Sequence, residues 1–395
     1  MPEVVPSVET FARIKVLGVG GGGGSALNRM IEAGVDNVEF VAVNTDAQAL
    51  DNSKAATKLH IGKDTTRGLG AGADPSVGQH AAEESIDEIK ETLHGADMVF
   101  IMMCAGGGTG GGAGAVLAEA ARSMDILTVG FATRPFAFEG ERRRANADGA
   151  IERFRKHVDT LITIPNDRLL QTIDRKTPLL EAFTVVDDVL RQGVQGISNL
   201  ITVHGLINLD FADVKAIMKD AGSALMGIGS ASGEDRAVVA AKEAIESPLL
   251  EVSIDGARGV LFNVTGGSNI GMHEINEAAE TITAAVDPEA NIIFGATMDE
   301  SLEDEMHITV IATGFDPIPS DRQSASGLAY FNKPNSGETV TDEDIGNEAI
   351  ELDDEKDAVS DDSDDEAPSE DAWSFSDDEE DLDVPAFVRN RKKKK

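Results

Sequence analysis

Apolar and polar positions along the chain follow two spacings that take turns. Residues 14–17 form a short apolar run of strand type, the glycine-rich stretch 18–24 reads as a turn, 26–33 carry a helical spacing, and 39–43 predict a second strand. The same order recurs as a strand at 98–102, a glycine-rich segment at 105–114, a helix at 116–122 and a strand at 126–129. This alternation predicts an α/β fold: a Rossmann-like, doubly wound and largely parallel sheet. From 178 to 203, Leu179, Phe183, Val186, Leu190, Val194, Ile197 and Ile201 recur every three or four residues, one apolar stripe on one long helix. Such a helix can form a central spine between two domains. Residues 223–315 predict a second, smaller α/β unit, with a helix at 233–246 and strands at 259–264, 292–295 and 307–312.

After Asp316 the periodicity stops. Residues 317–382 are rich in Ser, Asp and Glu and poor in large apolar side chains, so burial cannot offset the entropy of ordering them, and a disordered acidic tail is expected. Apolar character returns at 383–389, and the chain ends on a basic run, Arg391 to Lys395. The expected division is therefore 1–177 for the first domain, 178–203 for the central helix and 204–316 for a loop and the second domain. A linker at 317–382 and a terminal peptide at 383–395 complete it.

Composition narrows the function. Only 4% of residues are aromatic, so the core must rest on Val, Ile, Leu and Ala. The single cysteine, Cys104, excludes an internal disulfide and fits a reducing compartment. No apolar run reaches the roughly 18–20 residues of a spanning helix, and the first residues lack the layout of a signal peptide. A cytoplasmic protein that does not span the membrane is expected. The net charge is −37, and with 24 acidic against 9 basic residues from 317 to 395 the remainder still carries −22. Nucleic acid is thereby disfavoured as a partner.

Two glycine segments carry the candidate chemistry. Gly18-Val19-Gly20-Gly21-Gly22-Gly23 fits GxGxxG between a strand and a helix, and Asp46 closes the next strand where a dinucleotide fold places its ribose-binding acid. Glycine lets backbone approach a phosphate, and a helix N-terminus offers free N–H groups. Alone, this segment suits an NAD-linked oxidoreductase, and also a structural turn. The second segment, 106–112, again lies between strand and helix. Two such loops on neighbouring strand ends point to a nucleotide polyphosphate held from both sides. GxxxxGK[ST] is missing, which excludes a P-loop ATPase.

GGGTGGG at 106–112 resembles the GGGTGxG signature of the tubulin/FtsZ family. GVGGGGGSA (18–26), FVAVNTDAQAL (40–50), GLGAGADP (68–75), RPFAFEG (134–140), ITIPNDRLL (162–170) and NLDFADV (208–214) are similar to its FtsZ branch, in the same order. The resemblance implies a self-assembling GTPase forming head-to-tail filaments of a cell-division ring, with hydrolysis completed between subunits. The alternative is a nucleotide-binding scaffold or paralogue with weak hydrolysis. GTP/GDP is the implied nucleotide, with Mg2+ as counterion of the polyphosphate.

Residue by residue, the resemblance brings Gly21, Gly22, Gly23, Gly24 and Ser25 to the phosphates and sugar, while Gly108, Thr109 and Gly110 cradle the phosphates. Ala71 and Gly72 would sense the γ-phosphate, and Glu139 and Arg143 would contact the nucleotide. Asn166 and Asp187 would hold sugar and guanine, whose paired N–H donors suit an amide or carboxylate acceptor. Phe183, one turn before Asp187, would stack on the base or else belong to the core of the spine. The catalytic segment 204–213, with Asn208, Asp210 and Asp213, would enter the neighbouring subunit's site, its acids polarising the attacking water. Local sequence alone makes Asp210 an N-cap and sets Asp213 against the helix dipole, and both roles are compatible.

The sequence departs from the family pattern in places. Ser25 and Asp74 each stand where Asn is usual, the second placing an extra charge near the phosphates. Cys104-Ala105 replaces a common Gly-Met pair, and Gly111 and Gly114 are expected to loosen the second loop. At the end of the chain, Asp383, Pro385, Phe387, Val388 and Arg389 resemble the peptide that docks on membrane tethers and other division proteins. That would place the protein at the division site, near the inner face of the membrane. The terminal lysines could meet anionic lipid, the acidic linker or only water.

Overall fold

The computed structural model describes residues 12–169, 176–203, 207, 209–247, 253–254 and 256–315. Asn208, the linker 317–382 and the peptide 383–395 lie outside the described residues. Ten strands share one sheet: β1 (Ile14–Val19), β2 (Glu39–Asn44), β3 (Thr57–His60), β4 (Met98–Cys104), β5 (Leu127–Arg134), β6 (Thr160–Pro165), β7 (Gly222–Ser232), β8 (Gly259–Gly266), β9 (Asn291–Met298) and β10 (Glu305–Thr313). Their order is β3-β2-β1-β4-β5-β6-β7-β10-β8-β9. The first seven run parallel, as the strand–helix alternation predicts. β10 lies antiparallel to both β7 and β8, which makes the far end mixed. β6 and β7 pair only from Thr160 opposite Gly222 to Ile162 opposite Ala224.

The helix Leu179–Thr202 lies against this sheet along its middle. Val186, Leu190, Val194 and Ile197 of the apolar stripe are buried, while Phe183 and Ile201 near its ends are not. Two glycines let the helix approach the strands. A Cβ on Gly193 would lie 2.7 Å from Met226 Sδ, and one on Gly196 3.2 Å from Thr309 Cγ2.

The glycine segments differ from the loops that sequence suggests. The first helix spans Gly20–Glu32 and the second Gly108–Ser123, so most of these glycines are helical. The reason is crowding. A Cβ on Gly22 would meet Cys104 Sγ at 2.1 Å, on Gly23 the Met102 carbonyl at 2.5 Å, and on Gly112 the Pro75 carbonyl at 2.1 Å. Gly111 and Gly114 do not loosen a loop either; they are buried helix residues packed on Ala150 and Met103.

β7 (GSALMGIGSAS) holds its short apolar run, Ala224 to Met226, among Gly and Ser, a pattern from which the sequence predicts no strand. It is small-residue backbone because helix Arg236–Ile245 lies directly on it: Cβ atoms on Gly227 and Gly229 would sit 1.9 and 2.0 Å from carbonyls of Ala244 and Ala240.

Gly24 breaks the packing rule: it is helical, its φ is not left-handed, and a Cβ there would meet nothing within 4 Å. Gly24→Ala should therefore stabilise the nucleotide-free fold by about 0.5–1 kcal/mol, through helix propensity. Gly112→Ala should destabilise it by about 1–3 kcal/mol, through overpacking. Urea unfolding of both variants checks this, and shifts of the same sign would contradict the division of glycines into packed and open ones.

Candidate functional site

β1 and β4 are neighbours, yet the chain leaves them toward opposite edges of the sheet. In an open α/β sheet that reversal leaves a crevice at the carboxyl ends of the strands. The helices Gly20–Glu32 and Gly108–Ser123 both start there. Their N-caps, Val19 and Gly107, give no side-chain bond, and neither first turn holds an acid. By contrast, Asp46, Asp74 and Asp210 cap the helices Ala47–Asp51, Pro75–Glu84 and Phe211–Met218. Two sets of first-turn N–H donors and two positive dipole ends are thus left for an anion. They are close together, since a Cβ on Gly20 would lie 3.0 Å from Gly110 N. Thr109 Oγ1 is held 2.6 Å from Oγ1 of the buried Thr45.

A cavity of about 560 Å³ opens from these two termini. Its far wall is the start of the central helix. Phe136 is buried and meets Phe183 edge-on, with ring centroids 5.4 Å apart. Phe183 itself is 39% exposed and lines the cavity, so it is a wall residue and not part of the spine's core. Asn166 is buried, and its Oδ1 has no hydrogen-bond partner, an orphaned acceptor that a ligand N–H or hydroxyl would satisfy. Burial raises the Asp187 carboxyl to about 6, with Arg29 opposing. Glu139 accepts from Phe136 N at 3.0 Å and pairs with the Arg143 guanidinium. Burial pushes the Cys104 thiol up to about 11, so it remains protonated and inert near neutral pH.

Of the residues singled out from sequence, Gly21, Gly22, Ser25, Gly108, Thr109 and Gly110 line this cavity at the phosphate end. Glu139, Arg143, Asn166, Phe183 and Asp187 line it elsewhere. Gly23 does not; it is buried under Met102. Gly24 faces a smaller cavity of about 360 Å³, whose walls include Gly20, Gly21 and Ser25. Ala71 packs on the start of the second helix, where a Cβ on Gly108 would lie 2.8 Å from its own, and exposed Gly72 follows it. Asp74 accepts from Ser76 N and Oγ, bonds that hold its carboxyl below the usual range, so its charge serves a helix cap. Asp46 likewise accepts from Gln48 N and Ala49 N, which weakens the dinucleotide reading.

Asp210 and Asp213 do not line the cavity. They cap each other's backbone at the start of helix Phe211–Met218: Asp213 N donates to Asp210 Oδ1 at 2.9 Å, and Asp210 N to Asp213 Oδ2 at 3.3 Å. Sequence reasoning missed Thr133, Pro135, Leu180 and Thr184 in the wall. Thr133 and Pro135 could have been found from the strand-end rule applied to β5. Leu180 and Thr184 share a helical face with Phe183 and Asp187.

Two family models match the chain: the GTPase domain of the Tubulin/FtsZ family over residues 13–174, and the C-terminal domain of the FtsZ family over 222–316. An empty FtsZ dimer from M. jannaschii is 46% identical, with 77% of this chain and 89% of that one covered, at a TM-score of 0.74. A mutant of M. jannaschii FtsZ is also 46% identical, with 77% and 92% covered and a TM-score of 0.75. CetZ2 from Haloferax volcanii, solved as a GTPγS-bound protofilament, is 21% identical, with 76% and 92% covered and a TM-score of 0.65; that likeness shows the fold alone.

The raised Asp187 carboxyl gives a pH test. It is an acceptor for paired N–H donors only when ionised, so GDP affinity should fall as pH drops through about 6. In Asp187→Ala that step should vanish, leaving only the titration of the phosphates. At pH 7.5 this variant should bind roughly tenfold to a hundredfold more weakly, about 1.5–3 kcal/mol for a charged hydrogen bond. Without nucleotide the sign reverses. The folded pKa lies above the unfolded one of about 3.9, so ionised Asp187 opposes folding at neutral pH, and the penalty fades as pH falls through about 6 toward 4. Calorimetric titrations across pH check the binding, and parallel profiles in both proteins would remove Asp187 from the site.

Proposed function

Because the chain belongs to the tubulin/FtsZ family of GTPases, we propose that it builds head-to-tail filaments of a cell-division ring and completes GTP hydrolysis between subunits. One observation carries this reading. Among the described residues that line the cavity the acids are Glu139, engaged by Phe136 N and Arg143, and the buried Asp187 at the central helix, while Asp210 and Asp213 stand outside it. A second copy, stacked head to tail, would bring its own Asp210, Asp213 and Asn208 to that cavity. Such an interface is heterologous and open, so it extends into filaments. The M. jannaschii relative solved as a dimer supports self-association.

Within the cavity the roles follow from position. The first-turn N–H groups of both helices take the phosphates, with Gly21, Gly22, Gly108 and Gly110 giving bare backbone. Phe183 offers an apolar face to the base, Asp187 accepts from guanine N–H groups, and Asn166 Oδ1 accepts from a sugar hydroxyl or the base. Mg2+ would be held mainly by phosphate oxygens, because no group of three or more metal-ligating side chains occurs among the described residues. It would neutralise phosphate charge. No helix among the described residues is long and apolar enough to cross a membrane. Attachment at the division site is assigned to 383–389, whose Phe387 and Val388 give compact apolar anchors for a tether protein.

Asp213→Ala tests the shared site. The variant loses half of a reciprocal cap, about 0.5–2 kcal/mol, and should remain folded. It should bind GTP with wild-type affinity, because its own cavity is untouched, and hydrolyse it roughly a hundredfold or more slowly. Wild-type turnover in assembled Asp213→Ala would contradict the proposal.

A further inference from the structure

The proposed chemistry requires that the carboxylates at the start of helix Phe211–Met218 be placed to within about 1 Å of a nucleotide held by another subunit. The helix has eight residues, a length of about 12 Å, so a tilt of about 5° about its far end moves Asp210 by about 1 Å. What holds the far end therefore matters to the reaction.

The last carbonyls of a helix lack partners within it. Here Lys215 O accepts from Lys219 N at 2.9 Å. Thr313 Oγ1 lies 3.5 Å from Ile217 O and 3.2 Å from Gly259 O, so its one proton is at best shared. Met218 O accepts from Thr160 Oγ1 at 2.5 Å, a bond from a fully buried hydroxyl at the start of β6. Beside it, buried Asp159 gathers the turn that follows the helix. Asp159 Oδ1 accepts from Asp220 N at 3.4 Å, Oδ2 from Thr128 N at 2.9 Å, and its backbone carbonyl from Gly222 N at 2.9 Å. Asp220 is left-handed at φ 53°, so the chain makes a specific turn there. The rim holds two exposed ion pairs, Arg122 with Asp220 and Lys219 with Asp125 at 3.3 Å, which add little energy.

This cluster lies where β6 meets β7, the short pairing between the parallel and mixed parts of the sheet. Arg122 is near the end of helix Gly108–Ser123, whose first turn lines the candidate phosphate site. One rigid helix thus carries the phosphate donors at one end and a partner of the turn after Met218 at the other.

We propose that Thr160 is a positioning residue for hydrolysis: its hydroxyl, bonded to the Met218 carbonyl and supported by Asp159, fixes the tilt of helix Phe211–Met218 and so the reach of Asp210 and Asp213 into the neighbouring subunit. The inference rests on the shared-site reading above.

Thr160→Val keeps the shape and the β-branch in a strand but leaves the Met218 carbonyl unpaired; Thr160→Ser keeps the donor. With the full chain assembled at saturating GTP, Thr160→Val should turn over about tenfold more slowly per assembled subunit. GTP affinity and the amount of polymer should be unchanged, and Thr160→Ser should return to within about twofold of wild type. Loss of polymer or of GTP affinity in proportion to turnover, or failure of Thr160→Ser to recover, would mean general destabilisation and overturn the proposal. Wild-type turnover in Thr160→Val beside an inactive Asp213→Ala would overturn the positioning role and leave the shared site standing. Wild-type turnover in both would remove the shared site itself.

Discussion

Two helix N-termini meet at the gap between β1 and β4, and neither has a side-chain cap bond or an acid in its first turn. That close approach constrains the nucleotide half of the protein. Each helical glycine costs about 1 kcal/mol relative to alanine, so the run from Gly20 to Gly24 and the run from Gly108 to Gly112 are expensive as helix. Packing offsets the expense wherever backbone touches backbone, as at Gly23 under Met102 and Gly112 against Pro75. Where nothing touches, at Gly21 and Gly24, the missing side chain is unexplained by the fold and leaves open space beside a cavity.

Much of the architecture was legible in the chain, for physical reasons that also mark where legibility ends. Strands β1, β2, β4 and β5 are mostly buried and rich in apolar residues, so they could be read directly. The central helix announced itself by its stripe, and the stripe departs from burial only at its ends, where Phe183 turns to the cavity. The glycine helices look like loops in the sequence because intrinsic propensity argues against them, and tertiary contact overrides it. β7 was invisible because the residues that let Arg236–Ile245 lie on it are Gly, Ala and Ser, which carry no strand signal.

The site was legible in part. Most of the residues drawn from motif resemblance converge on one cavity from five separate regions of the chain, and that convergence is a three-dimensional fact that spacing alone could not supply. Thr133, Pro135, Leu180 and Thr184 escaped because their types are ordinary; only the strand order and the helical face make them wall residues. Asp74 has a second role that spacing did not show: it caps its own helix while its backbone lies against Gly108 at the start of the second glycine helix.

In the proposed reading, phosphate binding and water activation belong to separate parts of the chain. Phosphate donors lie at one set of helix termini, and the acids lie at the start of helix Phe211–Met218, ordered by their mutual cap. The central claim is that a lone subunit binds the nucleotide but lacks the means to hydrolyse it. The most direct measurement is the specific GTPase activity of the wild-type chain over a dilution series, with polymer followed in parallel by light scattering. The account predicts activity per subunit that rises with concentration and vanishes below the assembly threshold. Activity that stays flat down to concentrations without polymer would mean a complete site within one chain, and would contradict it.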